Sequence, residues 1–314
     1  MFGEEDFAMV HVVIHQMLLF FFVSLIGFAC FNHQIITNEA LPHIARLMTK
    51  VLLPVMIFSV SYFGVTRAMM SQNFIVLPIT AIFYLIASVS LYLIGTVMKL
   101  PKEHRGVFQL SFLFGNTGFV GAPLLAVLLP KMGGVVLVLF SLIDQALFWT
   151  YGVWLASIDK NRNPFSWSSL FNPNLIAIVL AMLFVNMNIR ITGIVQEVLM
   201  ILKNAVPAIS MIYLGALFAS SDWRSVFQRR ELYFGILIKQ VVLPIVIGRI
   251  MLWIGMSSDI ISALVVLMAL PTMTVVPMIV ETYGGDGAYA SGITTITLAF
   301  SIVTIPIVFA IVFL

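Results

Sequence analysis

The sequence predicts an all-α integral membrane protein of ten transmembrane helices, arranged as two inverted five-helix repeats. Three observations predict it. The 314 residues are 61% apolar and only 9% charged, where soluble domains run at about 45–50% and 25%. The apolar residues fall in runs long enough to cross a bilayer, which takes about 20 residues of helix. Proline-containing motifs recur in the same order in each half of the chain.

Composition also excludes several classes. A soluble fold cannot cover this much apolar surface with so few polar groups. The net charge of +3 is small, and the basic residues are scattered between apolar runs, so no nucleic-acid footprint is present. The single cysteine, Cys30, cannot form an internal disulfide and reads as a buried, inert thiol. His11 and His15 are four apart on one helical face, but no third ligand accompanies them, so no metal is expected. The acidic start, Glu4-Glu5-Asp6, lacks the positive charge of a secretory leader, so the first run is expected to be a retained span. There is no His-Glu-x-x-His, nucleophile elbow or phosphate loop, so no enzymatic activity and no cofactor are expected.

Divided at polar and charged clusters, the predicted helices are 10–31, 42–64, 73–98, 105–130 and 133–157, then 172–188, 195–219, 231–254, 260–281 and 288–313. Residues 1–157 make the first repeat, 158–170 a cytoplasmic link, and 171–314 the second repeat. Orientation follows the loop cations. Arg46, Lys50, Lys99, Lys102, Arg105, Lys160, Arg162, Arg224, Arg229 and Arg230 fall on one side. Arg67, Lys131, Arg190, Lys203 and Arg249 fall on the other. The first side is therefore expected to be cytoplasmic, with both termini outside, in a cell membrane.

The repeat rests on two features. Lys50-x-x-x-Pro54 and Lys203-x-x-x-Pro207 lie in the second helix of each half. Gly115-Asn116-Thr117-Gly118-Phe119-Val120-Gly121-Ala122-Pro123 and Pro271-Thr272-Met273-Thr274-Val275-Val276-Pro277 interrupt the fourth helix of each half. Because five is odd, two such copies face opposite ways, as in secondary transporters. Proline removes a donor and clashes with the preceding turn, and glycine loosens the backbone, so both helices are expected to unwind near the midplane. Unpaired backbone groups there need protein or water partners. Asn116, Thr117, Thr272 and Thr274 can supply some. Pro123 and Pro277 suit the first position of a new half-helix, whose positive N-terminal ends would meet and hold an anionic group. Asn116, Thr117, Gly118, Pro123, Thr272, Thr274 and Pro277 are thus the candidate substrate-binding residues.

The segment Gly115 to Leu124 resembles the fourth-helix signature of the auxin efflux carrier family. So do Ala269 to Pro277, Tyr283-Gly284-Gly285-Asp286, Thr294-Thr295, Thr304-Ile305-Pro306, Asn172-Pro173, and Pro207 with Gly215. The order of these motifs covers nearly the whole chain and is similar to prokaryotic members, a family that includes malate and malonate permeases beside the plant auxin carriers. The long cytoplasmic loop of many plant members is missing. The resemblance implies a scaffold of helices 1, 2, 6 and 7, dimeric in many members. It also implies a mobile domain of helices 3–5 and 8–10, and elevator-like movement of a small organic anion bound where helices 4 and 9 cross. Plant members carry an Asn at the helix-9 crossing. Thr272 and Thr274 stand there instead, which bears on the identity and pose of the anion.

Asp144 lies mid-membrane in the fifth predicted helix, with Gln145 beside it. A charge there costs about 2.5–3.5 kcal/mol even on a lenient scale, so it is expected to face protein or water, as a coupling site for H+ or Na+ or as a protonated, hydrogen-bonded group. Lys239 lies about eight residues inside its span, roughly 12 Å. It can pair with Asp144, attract an anion, or snorkel to the surface. Asp144, Gln145 and Lys239 form the candidate ion-coupling set. An inorganic-ion exchanger or channel of the same fold is the alternative that these residues leave open.

Overall fold

The structure is a computed structural model that describes residues 4–157, 173–221 and 227–314, with side chains from Met9 onward. The expected link and Lys160, Arg162, Asn172 and Arg224 lie outside the described residues. Every regular element among those described is helical. In chain order they are α1 (Glu4–Asn32), α2 (Ala40–Gly64), α3 (Arg67–Gln72), α4 (Val76–Val97), α5 (Lys102–Leu113), α6 (Thr117–Leu128) and α7 (Gly133–Ser157). Then follow α8 (Pro173–Asn186), α9 (Ile194–Ser220), α10 (Arg230–Trp253), α11 (Ser258–Ala269), α12 (Val276–Thr282) and α13 (Gly287–Phe313). Seven of them (α1, α2, α4, α7, α9, α10 and α13) are long and apolar enough to cross a membrane, and α6, α8 and α11 are shorter apolar helices.

Helix packing can be followed in two sets of contacts, joined among others by α1 against α13. In the first, α1 lies along α9 and α2 packs on α8 and α9. Glycine makes the α1–α9 contact possible. A Cβ on Gly27 would strike the Ile212 carbonyl, and one on Gly215 would strike the Ser24 carbonyl. Small residues of this kind let membrane helices approach backbone to backbone. In the second group, α4 packs on α5 and α7, and α10 and α13 flank α11. Tyr62 fixes the end of α2 to the turn after α8: its hydroxyl donates to the Ile189 carbonyl at 2.7 Å and accepts from the Ile191 amide at 2.8 Å.

Proline shapes the long helices in two ways. Pro54, Pro123 and Pro244 each follow a π-type turn, at Met48–Leu52, Thr117–Gly121 and Ile236–Val242. Widening the turn relieves the clash between a proline ring and the carbonyl four residues back. Pro207 and Pro306 are instead carried inside α9 and α13. The matched Lys-x-x-x-Pro motifs therefore differ in local geometry. Cys30 is half-buried rather than buried.

Candidate functional site

The chain leaves helical geometry twice inside its apolar core. Between α5 and α6 it unwinds at Phe114–Asn116, and between α11 and α12 at Leu270–Val275. The two stretches touch. Gly115 and Thr272 form an antiparallel bridge. The Asn116 amide donates to the Pro271 carbonyl at 2.8 Å, and the Met273 amide to the Phe114 carbonyl at 3.0 Å. Each break thus satisfies backbone groups the other leaves open, which lets both persist away from water. Gly115 permits the approach, since a Cβ there would lie 3.0 Å from Leu270 Cβ and 3.4 Å from Lys239 Nζ.

Side chains complete the crossing. Asn116 caps α6, its Oδ1 accepting from the Phe119 amide at 3.0 Å, the standard duty of Asn at a helix start. The half-helix therefore begins at Thr117, six residues before Pro123, which sits one turn inside it. Pro277 does stand in the first turn of α12. Thr297 of α13 accepts from the Thr272 amide at 3.1 Å. Lys239 is buried and donates to the Leu270 carbonyl at 2.5 Å, so its ammonium caps the end of α11 and does not reach the surface. Cations suit helix C-terminal ends.

A cavity of about 120 Å³ opens beside the crossing, between α2, α7 and α8 on one side and the two breaks on the other. Asn116, Thr117, Gly118 and Thr274 line it, with Gln145 on α7. Pro123, Thr272 and Pro277 do not line it; they shape the breaks behind it. No ionisable side chain lines this cavity. Two of its polar walls carry buried donors without a hydrogen-bond partner, Asn116 Nδ2 and Trp149 Nε1, and Asn174 Oδ1 is an unpartnered acceptor. Gly118 is held against Leu53 of α2: a Cβ would sit 3.0 Å from Leu53 Cδ1.

Asp144 is fully buried one residue behind the cavity wall. It accepts from the Tyr84 hydroxyl and, at 2.9 Å, from Gln145 Nε2. Gln145 therefore links the cavity to the carboxylate. No direct ion pair joins Asp144 and Lys239 among the described residues. Tyr84, Trp149, Thr49 and Asn174 were not singled out from the sequence. Only the crossing of distant helices brings them here; Tyr84 precedes Asp144 by 60 positions. Among the described residues no group of three or more His, Cys, Asp or Glu side chains could hold a metal.

Among the described residues, seven apolar helices of membrane-spanning length, with two unwound stretches touching inside the apolar core beside a small cavity, define a membrane transporter. The family described as membrane transport protein matches residues 12–309, nearly the whole chain. The chain belongs to this family, in agreement with its resemblance to the auxin efflux carriers, and it is a multi-pass membrane transporter and not an enzyme. No curated protein matches the chain.

Proposed function

We propose that the chain carries a small organic anion, of carboxylate type, through the central cavity. The observation that carries this reading is the pair of unpartnered buried donors, Asn116 Nδ2 and Trp149 Nε1, on two residues that line a cavity that no carboxylate lines. Leaving such donors unfilled costs about 1–3 kcal/mol each, and an anionic oxygen is their strongest partner. The first turn of α6 adds the positive end of a twelve-residue helix. α12 is only seven residues long and adds fewer aligned peptide units.

The proposed architecture has ten spans in two inverted repeats, counting α5–α6 and α11–α12 as one broken span each. In it α1, α2, α8 and α9 form a scaffold, dimeric by family resemblance, and the second packed group moves against it as an elevator. Thr49, Trp149 and Asn174 lie toward the helix ends expected in the cytoplasm, so the cavity faces inward, with both termini outside. Asp144, reached through Gln145, is the proposed site of coupling to H+ or Na+.

The test is uptake by purified protein in liposomes of labelled mono- and dicarboxylates, with and without proton and sodium gradients. Accumulation of a carboxylate is the expected result; ion flux with no carboxylate flux favours the inorganic-ion exchanger or channel. Asp144→Asn is expected to abolish gradient-driven accumulation while the protein still folds. Unchanged uptake with unchanged proton or sodium dependence removes Asp144 from the coupling role.

A further inference from the structure

The central cavity ends on an apolar wall. Ile57 of α2 and Ile178 of α8 line it on one side. They pack with Val138 of α7 in a small cluster of their own, which Leu142 and Met182 adjoin. Behind this wall lies a second chamber of about 500 Å³, lined by Val138, Leu142 and Met182. That chamber shares Val65, Arg67, Val185 and Asn186 with a third space of about 540 Å³, so the two are adjacent. The third space is markedly more polar, with Arg67, Arg190, Asn186, Asn188 and Gln196 in its walls.

Charge in this outer space is one-sided. No Asp or Glu lines either chamber. The ion pairs found among the described residues, His104–Asp286 and Arg229–Glu231, leave out both arginines. Nor are the two arginines on independent supports. Tyr62 bonds the backbone on both sides of Arg190, at Ile189 and Ile191, and Arg67 follows five positions after Tyr62. The Tyr62 ring is stacked on Phe58 and meets Phe184 edge-on, which stiffens the support further. Two cations outside any ion pair found among the described residues, above an apolar floor, focus the field into the chamber.

We propose that Arg67 and Arg190 form a separate anion-collecting vestibule, on the far side of the Ile57–Val138–Ile178 wall from the central cavity. The ligand is a carboxylate-bearing solute, an assignment that rests on the organic-anion reading above. The vestibule concentrates the solute behind the wall that must part for exchange between the two sides. A lipid phosphate offers the same anionic oxygens, and the test separates the two sources.

The test needs no flux, so its failure is distinct from a failure of carboxylate uptake. A reporter thiol is placed by Thr192→Cys, an exposed position in the vestibule wall, in a Cys30→Ser background. The protein is held in phosphatidylcholine nanodiscs and treated with anionic sulfonatoethyl or cationic trimethylammonioethyl methanethiosulfonate. Rates are divided by those for 2-mercaptoethanol in solution. The anionic reagent is expected to be favoured about tenfold at low salt, the lower end of the enrichment a charged cleft produces. The preference is expected to vanish at 1 M salt, where screening shortens to about 3 Å, and in the Arg67→Gln/Arg190→Gln variant. Malonate is expected to slow the anionic reagent more than chloride does at equal ionic strength. Equal normalised rates, a preference indifferent to both arginines, or a thiol reached by neither reagent would overturn the vestibule. Malonate no better than chloride overturns the solute. So does loss of malonate protection when phosphatidylglycerol is added, which makes a lipid headgroup the occupant.

Discussion

The two breaks solve one problem by different means, although the sequence presents them as a matched pair. The first, at Phe114–Asn116, is short. It is capped by its own Asn116, and it leads directly into a twelve-residue helix whose first turn lines the cavity. The second, at Leu270–Val275, is twice as long and has no side-chain cap of its own. It is held from outside, by Lys239 of α10 at Leu270 and by Thr297 of α13 at Thr272. The comparison teaches a division of labour. The first break presents donors to the cavity, while the second is the strut that keeps the first in place.

Substitutions sharpen or break this contrast. The largest effect is expected at the strut. Lys239→Met leaves the buried Leu270 carbonyl without its charged donor, and a hydrogen bond from a charged group is worth up to about 3 kcal/mol. A large fall in melting temperature in detergent checks this. If Lys239→Met is silent in stability, the strut role is wrong.

Next comes the presenting side. Asn116→Asp keeps a capping oxygen but replaces the free donor with negative charge. Carboxylate KM is expected to rise by at least about tenfold, because like charges in a site cost several kcal/mol, with a fall in melting temperature as well, since the new carboxylate is buried. A loss of stability instead of affinity would merge the two roles. Thr297→Val removes the acceptor for the Thr272 amide and is expected to cost about 1–3 kcal/mol of stability, with substrate KM unmoved. The smallest change is expected for Thr274→Val. Thr274 makes no side-chain hydrogen bond recorded in the structure, and one neutral bond to a solute nets only about 0.5–1.5 kcal/mol, a two- to tenfold rise in KM.

Much of this was legible in the chain. Composition and run length give the all-helical membrane class, and glycine and proline clusters mark both breaks, because those residues act through local backbone geometry. Asn116, Thr117, Gly118 and Thr274 were found at the cavity for the same reason. The position of Pro123 misled, since an Asn cap and a wide turn start α6 earlier than a proline at its first position would. Thr272 was read as a binding residue, yet its amide serves the strut through Thr297. Tyr84, Trp149 and Asn174 left no local signal, because their roles come from helices that meet only in the folded chain. Lys239 was open between three fates. Only the placement of the α11 terminus beside it decides in favour of a buried cap.

The glycine contact between α1 and α9 has a consequence of its own. Where Gly27 and Gly215 bring two main chains together, a slip in register would drive a larger side chain into the opposing backbone. In the proposed elevator these two helices are the post against which displacement elsewhere can be gauged. Spectroscopic labels attached along them would serve as the reference in a test of that movement.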